Sequence, residues 1–185
     1  MSDQISEGLF SPSLRAIRIQ KAFPFINGSV LDVGCGSGEL APFFPIEAYW
    51  GYDPDEQSIA HAREKFPQYQ FSTSFPESKQ KFDSIVLLAV IEHVADPAAY
   101  TTFLKSYLVR SNKSSIILTT PTSFTSWIHY LGAHLGLFSL EADHEHKVLF
   151  NHETLTRLAD DCDMELSYYK RFMLKLNQLA VFRMK

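Results

Sequence analysis

The chain has 185 residues, enough for one well-packed domain and short for two. Hydrophobic residues make up 45% and charged residues 21%, an ordinary globular composition that argues against global disorder. The formal charge is −4 and no long basic run occurs, so the electrostatic footprint of a nucleic-acid binder is missing and no nucleic-acid partner is expected.

The first ten residues, MSDQISEGLF, are acidic and lack the basic start and apolar core of a signal peptide. Residues 14–26 read as a helix, with Leu14, Ile17, Ile19, Ala22 and Phe23 toward one side. Residues 29–33 form a short apolar strand, and 39–44 read as a helix that Pro45 stops. A second strand covers 49–52, after which Asp55 caps a helix reaching Phe66 and closed by Pro67. Residues 69–72 are a third strand and 82–88 (FDSIVLL) a fourth. Residues 97–109 read as an amphipathic helix opening with Pro97, and 115–119 (SIILT) as a buried fifth strand. A helix over 151–162 and two strands over 164–169 and 175–182 close the chain.

This alternation implies an α/β fold in one domain spanning 1–185: a mostly parallel sheet, helices on both faces, and a C-terminal antiparallel hairpin at its edge. Only about nine residues separate the third and fourth strands, so a reduced helix or a turn must serve as that crossover. Cys35 and Cys162 are the only cysteines and neither sits in a CxxC pair, which gives no zinc signature and no disulfide framework. No stretch of about 18 apolar residues predicts a transmembrane helix, and the expected compartment is the cytoplasm.

The segment 30–38, VLDVGCGSG, places three glycines directly after a strand and before the expected helix. Such glycines let the backbone turn sharply and approach a ligand with no Cβ in the way. That suits a nucleotide at the carboxyl end of the strands. A dinucleotide fold wants G-x-G-x-x-G, whereas here Glu39 stands in place of the third glycine, where a carboxylate would repel a pyrophosphate. A P-loop is excluded because no Gly-Lys-Ser or Gly-Lys-Thr follows.

Leu31-Asp-Val-Gly-Cys-Gly-Ser-Gly38 resembles motif I of class I S-adenosylmethionine-dependent methyltransferases. Gly51-Tyr-Asp53 resembles the acidic end of their second strand, 82–88 running into Ile91-Glu-His-Val94 their fourth-strand region, and Ile116-Ile-Leu-Thr-Thr-Pro121 their fifth strand. The resemblance implies a Rossmann-like sheet of about seven strands and S-adenosylmethionine as methyl donor. By position, Gly34, Gly36 and Gly38 would pass beneath the methionine and ribose, with Cys35 in the same loop. Asp32 would order the loop or meet the methionine amino group, and Asp53 would accept from both ribose hydroxyls. Tyr52 and Pro54 would flank the adenine, and Leu88 and Ala89 would complete the pocket at the end of the fourth strand. Many relatives carry an Asp after the third strand; here Thr73 or Ser74 would substitute.

A sulfonium is already an activated methyl donor, so the protein mainly aligns a nucleophile and excludes water. His93, after the fourth strand, is the candidate base near the acceptor, with a structural loop histidine as the alternative. Ala89-Val-Ile-Glu-His93 resembles the E-x-x-E-H motif of metal-assisted relatives, but Ala89 removes one carboxylate, so metal dependence is disfavoured and no metal ligand is assigned. The cluster Asp143-His-Glu-His146 with His152 matches no zinc template and reads as a polar loop before a helix capped by Asn151. Residues 122–150 are expected to form a cover over the acceptor. Phe124, Trp127 and Tyr130 are spaced to share one face of a helix there, and Trp127, Tyr130, His144 and His146 are candidate acceptor contacts. Peripheral membrane contact is a further possibility for this stretch, though it lacks lysines over 124–140. The expected reaction is methyl transfer to a small molecule. The rivals are a cofactor-binding module without turnover and an NAD-dependent oxidoreductase. The sequence sets no oligomeric state.

Overall fold

A computed structural model describes residues 11–122 and 149–185. Helix α1 (Ser11–Ala22) leads through a 3-10 turn at Phe23–Phe25 into β1 (Val30–Val33). Pro24 ends this α-helix earlier than the periodicity suggests, because it has no N–H to donate to the carbonyl of Gln20. There follow β2 (Tyr49–Tyr52), α2 (Glu56–Lys65), β3 (Gln70–Ser72), β4 (Ser84–Leu88), α3 (Pro97–Lys105) and β5 (Ser115–Pro121). Helix α4 (His152–Asp161) and the hairpin β6 (Met164–Phe172) and β7 (Asn177–Met184) complete it.

These strands form one seven-stranded sheet in the order β3-β2-β1-β4-β5-β7-β6. All pairings from β3 to β5 are parallel, and β7 runs antiparallel to both its neighbours. The order reverses between β1 and β4, which makes the carboxyl end of β1 a topological switch point. Every residue of β1 is buried, as expected for a central parallel strand covered on both faces. Alternation along it divides the core. Leu31 and Val33 join Leu104 of α3 and Leu155 and Leu158 of α4 on one face. Val30 joins Ile19 and Ala22 of α1 and Ile59 and Ala62 of α2 on the other.

Side-chain caps fix three helix starts, those at Asp55 and Asn151 as expected. Asp55 accepts from the backbone N–H of Gln57 and Ser58, Asp96 from Ala99, and Asn151 forms a capping box with Thr154. Between β3 and β4 the chain has no helix, only bends and turns.

Four further expectations need correction. Residues 39–44 form no α-helix, only a 3-10 turn at Ala41–Phe43, because Pro42 has no N–H to donate and its ring would clash with the carbonyl of Gly38. Helix α3 stops at Lys105 rather than reaching 109. There Ser106 turns the chain and Phe82 brackets Tyr107 and Val109 in a parallel bridge. The closing hairpin turns later than expected, at Met173–Lys175, and Lys175 lies in the turn rather than in a strand; all three residues have positive φ. Strand β5 continues to Pro121, two residues past its expected end, because β7 pairs with it that far. The expected cover over 122–150, with Trp127, Tyr130, His144 and His146, falls almost wholly outside the described residues.

Candidate functional site

At the carboxyl end of β1 the chain leaves the sheet through the glycine loop, which is fastened to the end of β2. The N–H groups of Gly34 and Cys35 both donate to the carbonyl of Tyr52, at 2.8 and 3.0 Å. The N–H of Gly36 donates to Asp53 Oδ2 at 2.9 Å, and Asp55 N–H donates to Oδ1 at 3.0 Å. Asp53 is therefore oriented by two backbone donors, and each oxygen retains lone pairs for a further partner.

Above this loop lies a cavity of about 420 Å³. Gly34 and Gly36 both have positive φ, at 74° and 54°, but they serve different ends. A Cβ on Gly34 would run into Cγ2 of Val90. A Cβ on Gly36 would meet nothing nearer than Nη1 of Arg15 at 4.0 Å, so it would stand in the cavity. Gly34 is thus demanded by packing as well as by its left-handed backbone, whereas at Gly36 the left-handed backbone alone calls for glycine and the space beside it is open.

Asp32, on β1, lines the cavity yet is only 3% exposed. The hydroxyl of Tyr49 donates to its Oδ2 at 2.6 Å. Burial pushes its carboxyl up to about 7; the Tyr49 hydrogen bond opposes this, while Asp53 and Glu39 add to it. Burial likewise pushes the Cys35 thiol well above its ordinary range, so it is no nucleophile at neutral pH.

Across the switch point, β4 ends at Leu88, followed by Ala89 with φ 62°, whose N–H donates to the carbonyl of Thr119. That strained residue leads into a 3-10 turn, Ile91–His93, which buries Glu92 and leaves His93 exposed at the cavity. Burial raises the Glu92 carboxyl above its ordinary value. Helix α1 covers the cavity with Arg15, Arg18 and Ile19. Arg15 pairs with Glu39 at 3.2 Å, and Lys65 lies 3.6 Å from the same carboxylate. Arg18 donates through Nε and Nη2 to Asn177 Oδ1 on β7.

Of the expected cofactor residues, Asp32, Gly34, Cys35, Gly36, Asp53, Pro54, Leu88 and Ala89 line this cavity, and His93 joins them. Gly38, Tyr52 and Thr73 are not among its lining residues. Gly38 packs on Phe71, Tyr52 stacks on Phe75 with ring centroids 3.9 Å apart, and Thr73 is exposed. Arg15, Arg18, Leu40 and Ser58 were not anticipated. The three-residue spacing of the two arginines put them on one helix face, but nothing in the sequence tied that face to the glycine loop. His152 packs edge-on against Tyr169 at 4.7 Å. Among the described residues no group of three or more His, Cys, Asp or Glu gathers as a metal would require. No helix of the described residues is long and apolar enough to cross a membrane.

The family model described as a methyltransferase domain matches residues 12–167. The ubiquinone biosynthesis O-methyltransferase of Dinoroseobacter shibae is 32% identical over 155 residues, covering 77% of this chain, which spans 62% of that relative's length. The ubiquinone biosynthesis O-methyltransferase of Vibrio atlanticus is 25% identical over 178 residues, covering 86% of this chain and 75% of its own. Among solved structures, magnesium protoporphyrin IX methyltransferase from Synechocystis with bound SAH superposes with a TM-score of 0.65 at 18% identity, over 94% of this chain and 83% of that one. A methyltransferase of Clostridium acetobutylicum superposes at 0.67 and 13% identity, over 98% and 94%.

Proposed function

Because the chain belongs to the class I S-adenosylmethionine-dependent methyltransferase family, we propose that its 420 Å³ cavity binds S-adenosylmethionine and that the protein methylates a small molecule, releasing S-adenosylhomocysteine. The observation that carries this is the pairing of Gly36 with Asp53. One backbone position keeps the cavity floor free of a Cβ, and the carboxylate it fastens stays available at the rim.

Asp53 would accept from the two ribose hydroxyls, and Pro54 and Leu88 would bound the adenine side. Asp32, at the cavity floor, would meet the methionine ammonium. Arg15, standing over Gly36, would meet the carboxylate in exchange for part of its pairing with Glu39. When bound, the sulfonium supplies an electrophilic methyl group. His93, exposed at the cavity and following β4, is placed to take a proton from an attacking hydroxyl. The relatives named as ubiquinone biosynthesis O-methyltransferases support oxygen as the acceptor atom. We assign this reaction to one domain, 1–185, acting in the cytoplasm.

The dinucleotide alternative loses its footing with the missing helix at 39–44. No α-helix N-terminus follows the loop to receive a pyrophosphate, and the Gly36 N–H is committed to Asp53. Titration with S-adenosylmethionine, S-adenosylhomocysteine and NADH tests the cofactor directly: the first two bind and the third does not. Release of S-adenosylhomocysteine across a panel of small phenols and acids then tests turnover. Binding without turnover of any acceptor would overturn the enzymatic reading in favour of a regulatory module.

A further inference from the structure

We propose that Arg18 anchors a carboxylate on the methyl acceptor, so that this enzyme's acceptors are small carboxylic acids. The proposal rests on the methyl-transfer reading of the cavity and adds the acceptor class to it.

Three observations carry it. The first is position. A cofactor held by Asp53 would cross the glycine loop, beside which Arg15 stands, and Arg18 lies one turn farther along α1. Arg18 is tied to Asn177 on β7, and β7 and β2 lie on opposite sides of β1 in the sheet. That sets Arg18 on the β7 side of the cavity, away from Asp53 at the end of β2 and on the same side as His93 at the end of β4. The second is geometry. Nε and one hydrogen of Nη2 are engaged by a single amide oxygen, at 3.3 and 3.2 Å. The remaining Nη2 hydrogen and Nη1 form a planar two-donor edge, the shape that matches a carboxylate in bidentate fashion.

The third is charge. Arg15 has Glu39 within ion-pair distance, but the hydrogen-bond partner of Arg18 is neutral. Glu92 attracts Arg18 electrostatically, yet burial outweighs that attraction and lowers the guanidinium below its ordinary value, with Arg15 adding a little to the same effect. Glu92 is buried in the 3-10 turn after β4, and burial raises its carboxyl above the ordinary value. A partly buried cation with a neutral hydrogen-bond partner gains most from an incoming anion.

The test is calorimetry on the full chain saturated with S-adenosylhomocysteine. The probes are 3,4-dihydroxybenzoate and hexanoate, each compared with its methyl ester. At least one acid should bind ten-fold or more tighter than its ester. Arg18→Met should erase that preference while leaving S-adenosylhomocysteine affinity within about two-fold. Arg18→Lys, which keeps the charge without the planar edge, should retain only part of it. Equal binding of acids and esters by the wild type would overturn the proposal, as would a preference that survives Arg18→Met. Loss of S-adenosylhomocysteine affinity in Arg18→Met would reassign the residue to the cofactor. Failure of the wild type to bind S-adenosylhomocysteine at all would instead overturn the methyltransferase reading beneath it.

Discussion

Replacing Asp32 by Asn separates the stability of the empty site from its function. The carboxyl is 3% exposed and titrates near 7 when folded, against about 3.9 for an unperturbed Asp in the unfolded chain. Because the folded value is raised, the native state holds the proton over a window in which the unfolded state has lost it. This contribution to stability is fully present below about pH 4 and is lost as pH rises toward 7. Integrating the two titrations gives a wild-type loss of about 2.5 kcal/mol between pH 5 and pH 8 from this one group. Asn cannot ionise, and its carbonyl oxygen can still accept the Tyr49 hydroxyl, so the variant lacks that loss. Urea unfolding of both proteins without cofactor, at pH 5, 6.5 and 8, reads the difference directly, since all other groups titrate alike in the two chains. Asp32→Asn should gain stability over the wild type by about that amount across the range, while binding S-adenosylmethionine more weakly at pH 8. A stability difference that stays constant with pH would refute the raised carboxyl.

Asp53→Ala should weaken cofactor binding by about 1.5–3 kcal/mol for each charge-assisted hydrogen bond lost; calorimetry on the folded variant showing unchanged affinity would remove the ribose assignment. Gly36→Ala should abolish or sharply reduce S-adenosylhomocysteine binding at a folding cost of about 1–2 kcal/mol for its left-handed backbone. Gly34→Ala should cost more stability, because its Cβ also collides with Val90; thermal melts and titrations of both variants check the contrast. His93→Ala should lower kcat by about 10²–10⁴-fold with cofactor affinity intact, and full activity in that variant would leave it a loop residue.

The mostly parallel sheet with its closing hairpin and the glycine turn after the first strand were legible for the same reason. Their determinants are local: short apolar runs alternating with helical patterns, glycines at fixed spacing, and an acidic residue at the end of the next strand. The helix expected at 39–44 failed because Pro42 sits inside it, and its effect on the Gly38 carbonyl outweighed the apolar pattern. Tyr52 was placed by its neighbour Asp53, but side chains alternate along a strand, and Tyr52 instead stacks on Phe75. The acceptor side was much less legible. Arg18 meets Asn177, 159 positions away, and an i,i+3 pair of arginines on a helix has the same pattern as a solvated face.

The distribution of charge gives this cavity a direction. Asp32 and Asp53 face it from the strand ends, whereas Arg15 and Arg18 face it from α1. S-adenosylmethionine carries two cationic centres, an ammonium and a sulfonium, and its demethylated product keeps only the first. Near pH 7, Asp32 is balanced between its two forms, so a nearby cation decides which one prevails. The cofactor should therefore draw a proton off Asp32 more strongly than the product does. Loss of the sulfonium charge on turnover would let the carboxyl take a proton back, weakening the hold on what must leave. Both ligands should then bind less tightly as pH falls from 8 to 5, with S-adenosylmethionine losing affinity more steeply, and both slopes should flatten in Asp32→Asn. Calorimetry in buffers of different ionisation enthalpy measures the protons released in each case. Equal proton release for the two ligands would mean that Asp32 senses only the ammonium, and the charge of the sulfonium would have to be balanced elsewhere in the site.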